Sequence, residues 1–181
     1  PNIWSRIYKP KEKKLQERSH KDGIKIGLES NEALEEYFFK MISHDAFIKK
    51  DCLIPYELNE KEFYNYTDYQ SLVRNSNEKL YLAKNNNFLL RYNAFRRYSD
   101  EFIVIILFRE PLAHATSLLE KHKQYSILQK EDPFVLEYMN WLGHYEFGLN
   151  HKPFNFENSS TNEHTIDSLD YWIQNWINYY R

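Results

Sequence analysis

The hydrophobic and polar positions of the chain follow different periods in different segments. Seven consecutive apolar residues, 102–108, read FIVIILF and end at Arg109, after which Pro111 opens a helical pattern. An unbroken Val- and Ile-rich run of this length is typical of a strand covered on both faces in a parallel sheet. Pro111 suits the first turn of a helix, where its missing N–H costs nothing. The pattern therefore predicts a buried strand, a tight bend and a helix.

A second strand is predicted upstream, at residues 79–84, where KLYLAK alternates in character. A predicted helix over 88–98 separates it from the strand at 102–108. Strand, helix, strand and helix joined by short links are typical of parallel βα units with right-handed crossovers. We therefore expect a parallel βα core at about 79–125, within one domain that spans 1–181 and is otherwise helical.

Helical periodicity dominates the rest of the chain. Apolar residues recur every three or four positions, and capping residues mark several helix starts. The predicted helices cover 31–42 with Ser30 as N-cap, 59–75, 132–147 with Gly148 as the stop, and a final helix that packs through Leu169, Trp172, Ile173, Trp176 and Tyr180. The polar segment 150–165 is predicted to be an exposed loop.

Composition and charge limit the class of protein. The chain has 181 residues, 42% of them hydrophobic and 17% aromatic, which suffices for a sizeable core. A net charge of -2 gives no case for nucleic acid as a partner. No apolar run approaches the roughly 20 residues that span a bilayer. Cys52 is the only cysteine, which favours a reducing compartment, so we expect a cytoplasmic protein without a membrane span.

Several common catalytic motifs are missing. The four glycines form neither GxxxxGK[ST] nor GxGxxG, and no GxSxG motif surrounds Ser117. The seven histidines are scattered rather than spaced as ligands. His144 and Glu146 form a lone HxE, which is more often a polar helix face than a metal site. We therefore expect no metal.

Arg109 and Ser117 are the stronger candidates for binding. Arg109 follows the predicted strand, where a guanidinium can bind a phosphate bidentately. Ser117 lies three residues after His114, so both project from the same side of the predicted helix. Open α/β sheets bind ligands where a strand is followed by its helix, and helix N-termini attract anions. A purely structural role for the arginine and the serine remains the alternative.

The segment VIILFREPLAHATSLL resembles the 3′-phosphate-binding segment of sulfotransferases that use 3′-phosphoadenosine-5′-phosphosulfate (PAPS). In that family a strand ends in an arginine and a serine follows eight residues later, as Arg109 and Ser117 do. Other stretches are similar to a bacterial branch of sulfotransferase-like proteins, so the resemblance covers nearly the whole chain. They are PNIWS, ERSHKDGI with SNEALEE, YLAKNNNFLLR and DPFVLEYMNWLGHYEFG.

The resemblance implies a fold and two binding residues. The fold would be a P-loop-NTPase-like three-layer α/β fold, with a short parallel sheet flanked by many helices. Arg109 and Ser117 would bind the 3′-phosphate of the nucleotide. The resemblance also implies PAPS as the sulfuryl donor.

Two parts of the family pattern have no match in the sequence. The first is the loop with a glycine and a lysine that holds the 5′-phosphosulfate, so we interpret the chain as truncated, with that loop upstream of Pro1. The second is the lysine-threonine-histidine segment that supplies the base in cytosolic members, because the comparable residues 84–86 read KNN. His114, His144 and Glu146 remain as candidate bases, with a structural or surface role as the alternative for each.

The sequence thus predicts a sulfotransferase that transfers a sulfuryl group from PAPS to a hydroxyl or amine of a carbohydrate or small molecule. The alternative is a non-catalytic nucleotide-binding or protein-interaction module on the same fold. We expect this chain to be inactive by itself, because the residues that bind the 5′-phosphosulfate would lie upstream. Its parallel sheet would also expose an unpaired edge, which favours self-association.

Overall fold

The computed structural model describes two units of the chain separately. The chain divides into compact units of residues 1–34 and 35–181. In the first unit, the short strands β1 (Gln16–Glu17) and β2 (Lys25–Ile26) pair antiparallel. The residues that the structure describes are 16–17, 23, 25–26, 35–74, 76 and 78–180.

The second unit is built from helices. They are α1 (Glu35–Ser43), α2 (Glu60–Arg74), a 3-10 helix η1 (Asn86–Arg91), α3 (Tyr92–Tyr98), α4 (Pro111–Glu131), α5 (Pro133–Leu142) and α6 (Leu169–Tyr180). The helices predicted at 59–75, at 88–98, from Pro111 onward and in the final segment are confirmed. The helix predicted over 31–42 is confirmed from Glu35 onward, and residues 31–34 lie outside the described part.

Helix α5 ends before the predicted position. Asp132 caps it as expected, accepting a hydrogen bond from the backbone N–H of Phe134. The helix stops at Leu142 because Gly143 adopts the left-handed conformation with φ of 74°. A side chain at residue 143 would also collide with Glu36. Gly143, rather than Gly148, therefore ends the helix and allows α5 to approach α1.

The predicted P-loop-NTPase-like α/β fold is wrong. The structure is 55% helix and 3% strand, and no parallel sheet occurs in its described part. Residues 79–84 and 102–108, predicted as strands of one βα core, belong to no strand. Leu80 and Leu82 are 95% and 93% exposed. What was expected to be a buried sheet is a pair of surface segments without regular secondary structure.

A few aromatic side chains attach these two segments to the domain. Tyr81 and Phe102 pack against the same group of buried residues, and Phe108 contacts the rings of Trp176 and Tyr180. An apolar run indicates only that its residues suit burial, whereas a sheet also needs a second backbone with free hydrogen-bonding groups. In the described part of the chain, the helices fill the core and provide no such backbone.

Two groups of buried residues form the core of the second unit. The first core takes its members from α1, α2, α3 and the segment before α2, and consists of Phe39, Leu58, Tyr66, Ala94 and Phe95. The second core lies where the segment after α1 meets the loop after α5, and consists of Phe47, Leu53, Leu90, Tyr145 and Phe154. Leu53 joins these segments through its backbone, donating to Pro153 and accepting from Asn155.

A buried ion pair between α1 and η1 connects the two cores. Arg91 is completely buried, and its guanidinium donates to both carboxylate oxygens of Glu36, with Nη1–Oε2 at 2.9 Å and Nη2–Oε1 at 2.7 Å. The guanidinium carbon lies 4.2 Å from the ring centre of Phe39 and 4.6 Å from that of Phe47. The bidentate pairing and the two aromatic faces offset part of the cost of removing these charges from water.

Glu35, the neighbour of Glu36, is satisfied by three donors. Its carboxylate accepts from the hydroxyls of Tyr66 at 2.7 Å and Tyr81 at 2.6 Å, and from the amide of Asn85 at 2.9 Å. Burial, and then the Glu35 carboxylate, raise the pKa of both phenols. The tyrosines therefore stay protonated and act as donors, which is what a buried carboxylate requires.

We predict that Arg91→Met lowers the free energy of unfolding by about 3–5 kcal/mol, because it leaves the Glu36 carboxylate buried without its cation. Chemical denaturation followed by circular dichroism measures the loss. Arg97→Met is the matched control, because Arg97 pairs with Glu57 at the surface and an exposed pair contributes about 0–1 kcal/mol. Equal losses in the two variants would contradict the structural role assigned to Arg91.

Candidate functional site

The first candidate site is the junction between residues 102–108 and helix α4. Arg109 is exposed there, and it forms no ion pair with any residue that the structure describes. Glu110 follows as the N-cap, and its carboxylate accepts from the backbone N–H of Leu112 at 3.0 Å and of Ala113 at 2.6 Å. The N–H of Ala113, and then that of Leu112, lower the pKa of Glu110. The chain's own carboxylate thus occupies the N-terminus of α4, where an anion was expected.

His114 lies beside this junction on the first turns of α4. Burial lowers the pKa of its imidazole, and the positive charge of Arg109 lowers it further. Its Nδ1 atom is buried and has no hydrogen-bond partner among the described residues. His114 is therefore neutral at physiological pH, close enough to Arg109 to feel its charge, and has one ring nitrogen free to donate or accept a proton.

Ser117 lies one helical turn beyond His114 and is half-buried. Residues three apart share a helix face, so Ser117 and His114 lie on one side of α4. Ser117 lies six positions after Pro111, the first residue of α4, which corresponds to a rise of about 9 Å. A ligand bound by both Arg109 and Ser117 therefore lies along the side of α4, and the arginine side chain must fold back over the first turns.

His144 and Glu146 form a second site, in the segment after α5. His144 Nδ1 lies 3.4 Å from Glu146 Oε1, and the side-chain amide of Asn86 donates to the same oxygen. Burial opposes the charge of His144, but the Glu146 carboxylate outweighs it and raises the pKa of the imidazole, with Lys84 acting in the opposite direction. Despite burial, His144 and Asn86 lower the pKa of Glu146 to about 2. Of the two, His144 is the better proton acceptor, because its pKa lies nearer neutrality.

Sequence reasoning missed the run of asparagines at 85–87. The amide of Asn85 donates to both Glu35 and Glu36, at 2.9 Å and 3.0 Å, and that of Asn87 donates to the carbonyl oxygen of Gly143 at 2.9 Å. By comparison with the family pattern, the sequence shows these residues only as the position at which the base is missing. Three consecutive amides between apolar segments are the available signal, because burial forces such groups to find hydrogen-bond partners.

A cavity of about 580 Å³ lies between helix α6 and the loop after α5. His151 lines it, and burial lowers the pKa of this imidazole to about 4. Its two ring nitrogens lie 3.0 Å from the carbonyl oxygen of Tyr145 and 3.0 Å from the hydroxyl of Tyr171. A neutral imidazole fits these partners by donating to the carbonyl and accepting from the hydroxyl. None of the residues expected from the sequence to bind or react lines this cavity.

Neither the sequence nor the structure matches a known family model, a curated protein or a solved structure. Among the described residues, no helix is long and apolar enough to cross a bilayer. The same part of the chain contains no group of three His, Cys, Asp or Glu side chains placed to hold a metal ion. The functional argument therefore depends on the local chemistry of the two sites.

We predict that Glu146→Gln lowers the pKa of His144 below its ordinary value of 6.5, because burial and Lys84 then outweigh the smaller effect of the remaining Glu36 carboxylate. NMR titration of the histidine ring protons measures this pKa.

The raised pKa of His144 stabilises the fold below pH 6.5, and this contribution is lost as the pH rises through the raised pKa. The lowered pKa of Glu146 stabilises the fold at pH values above 4.5, the ordinary pKa of a glutamate. The variant should therefore lose most stability between these two values.

The matched control for this titration is Glu157→Gln. Glu157 is an exposed carboxylate in the polar loop before α6, and its removal should leave the His144 titration unchanged. An unaltered His144 pKa in Glu146→Gln would show that the two side chains do not interact in solution.

Proposed function

We propose that this chain belongs to a PAPS-dependent sulfotransferase and that Arg109 and Ser117 bind the 3′-phosphate of the nucleotide. The observation that supports the proposal most is Arg109 itself, an exposed cation without an ion-pair partner in the described part of the chain. It precedes a helix that carries a half-buried serine eight residues later. The resemblance in sequence assigns the phosphate to these same two residues.

The residues present fit one part of the nucleotide. Arg109 offers a planar set of donors for two phosphate oxygens, and Ser117 offers a hydroxyl. The orphaned Nδ1 of His114 adds a third polar atom on the same side of α4. No glycine- and lysine-containing loop for the 5′-phosphosulfate occurs in the sequence. The proposal therefore assigns only the 3′ anchor to this chain.

Glu110 limits how the phosphate is bound. Its carboxylate already accepts hydrogen bonds from two backbone N–H groups at the start of α4. Its negative charge also repels an anion from that position. The phosphate is therefore held through the side chains of Arg109 and Ser117 rather than by the helix N-terminus. The nucleotide would supply the sulfuryl group, and the acceptor would be a hydroxyl or amine of a carbohydrate or small molecule. The free thiol of Cys52 in this chain suits the cytoplasm as the compartment.

The second candidate function is a non-catalytic protein-interaction module. The observation that favours it is the exposure of large apolar side chains in residues 102–108, which is typical of a surface that binds another polypeptide. On this alternative Arg109 contributes charge to a protein interface. Nucleotide binding would then be absent.

We predict that the protein binds 3′,5′-adenosine bisphosphate and that Arg109→Ala weakens binding by about 10- to 100-fold, since a hydrogen bond to a charged group contributes about 1.5–3 kcal/mol. Isothermal titration calorimetry measures the affinity. Ser117→Ala should have a smaller effect, because it removes one neutral hydroxyl. Arg96→Ala is the matched control, because Arg96 is exposed and pairs with Asp100, and it should not change the affinity.

The outcomes separate the two functions. Binding that Arg109→Ala and Arg96→Ala weaken equally would remove Arg109 from the site. No binding by the wild-type protein would contradict the sulfotransferase proposal and favour the interaction module.

A further inference from the structure

The cavity between helix α6 and the loop after α5 has a mostly polar lining. The hydroxyl-bearing residues 159–161 contribute to it, together with Asn150, Asn155, Asn162, Asn175 and Asn178. Its volume of about 580 Å³ lies within the range of small-molecule sites, about 300–1,000 Å³, and far exceeds the share of ~30 Å³ that one water takes in the liquid. Sites for apolar ligands are lined mainly by apolar and aromatic side chains, so this lining indicates a polar ligand.

The charges around the cavity do not select an ion. Lys50 and Asp51 lie side by side in the lining with opposite charges. The ammonium group of Lys152 donates to the backbone carbonyl oxygens of Lys49 and Lys50. The imidazole of His151 is neutral at physiological pH, because burial lowers its pKa to about 4. The lining therefore favours an uncharged ligand.

Asn175 contributes a buried donor to the cavity lining. The residue is 5% exposed, and its Oδ1 accepts from Nδ2 of Asn162 at 3.0 Å. The same Nδ2 donates to the carbonyl oxygen of Tyr171 at 2.9 Å, so the network fixes which end of the Asn175 amide is the oxygen. Nδ2 of Asn175 is buried and has no hydrogen-bond partner among the described residues. Such a donor is costly unless an acceptor from outside the chain reaches it.

A hydrogen-bond acceptor lies beside this donor. Burial raises the pKa of Tyr171, and the amide of Asn175 opposes the rise. The amide is therefore near the phenol oxygen, although the two groups form no well-oriented hydrogen bond. The phenol donates its own hydrogen to Nε2 of His151 at 3.0 Å, so its oxygen keeps lone pairs that can accept.

A hydroxyl group fits this donor and acceptor, because it can accept from Asn175 and donate to Tyr171. A carboxylate or a phosphate dianion would only accept, and an ammonium group would only donate. Each of these ions would leave one of the two protein groups without a partner. The pair therefore selects a neutral hydroxyl.

The polar loop beside the cavity is held to α6 by the chain's own hydrogen bonds. Asn178 donates through Nδ2 to the carbonyl oxygen of Ser160 and accepts through Oδ1 from the N–H of the same residue, both at 3.1 Å. The hydroxyl of Ser159 accepts from the N–H of Phe156 at 2.9 Å, and its own hydrogen can donate to a ligand. A site formed in advance lowers the entropic cost of binding.

We propose that this cavity binds an uncharged carbohydrate, with one sugar hydroxyl between Asn175 and Tyr171. A carbohydrate matches the many amides and hydroxyls of the lining, because each of its hydroxyls both donates and accepts. Its other hydroxyls contact the polar side chains of residues 159–162. The inference does not rest on the proposed nucleotide site, since neither Arg109 nor Ser117 lines the cavity.

The test is an NMR titration of the whole chain, labelled with nitrogen-15, with glucose, galactose and N-acetylglucosamine. Glucuronate serves as the charged comparison. At least one neutral sugar should shift the side-chain amide signals of Asn162 and Asn175 and the backbone signals of residues 159–162. Glucuronate should bind more weakly than that sugar, because its carboxylate only accepts hydrogen bonds.

Two variants test the proposed contacts. Asn175→Asp keeps the size of the side chain and the acceptor for Asn162 but replaces the donor, and it should weaken sugar binding at least about 10-fold. Tyr171→Phe removes the phenol oxygen and should also weaken binding, which gives a second test if the first variant does not fold. Asn93→Asp is the matched control, because Asn93 is exposed on α3 and lies outside the lining.

The control should bind the sugar as the wild-type protein does. The proposal would be overturned if none of the neutral sugars bound to the wild-type protein or if glucuronate bound more tightly than all of them. Unchanged affinity in Asn175→Asp and Tyr171→Phe would also overturn it.

Discussion

The buried charges of Arg91, Glu35 and Glu36 constrain the rest of the second unit. Each requires partners, because an unpaired charge in the interior costs several kcal/mol. Glu36 and Arg91 satisfy one another across α1 and η1, and Glu35 takes donors from α2 and from residues 79–84. Gly143 lets α5 approach the same carboxylates. Segments far apart in sequence are thus held together by a requirement for hydrogen bonds, and the aromatic cores fill the space around it.

The helices could be predicted from the sequence because their signals are local. Pro111, and Asp132 followed by Pro133, mark helix starts through their own conformations and side chains. The parallel sheet could not be predicted correctly, because its formation depends on a partner backbone that no local pattern reveals. Residues 102–108 have the composition of a buried strand, but in the described part of the chain the core that would cover them is already filled by aromatic side chains.

The candidate site, too, could be predicted only in part from the sequence. The spacing of Arg109 and Ser117 is visible in the sequence, and the structure places them at the start of one helix and on its side. The occupation of the helix N-terminus by Glu110 is a local capping interaction that the sequence permitted but did not require. The contacts of Asn86 with Glu146 and of Asn87 with Gly143 join residues more than fifty positions apart. Only the folded chain shows them.

The exposure of residues 102–108 links the fold to the proposed function, because this segment leads to the exposed Arg109 and takes no part in a sheet of the described residues. Amide hydrogen exchange of the segment, measured by NMR, tests this most directly. We expect fast exchange throughout the segment, because its amides form no backbone hydrogen bond with described residues. Protection of the whole segment would contradict the account, because it would show a strand buried within the chain's own sheet.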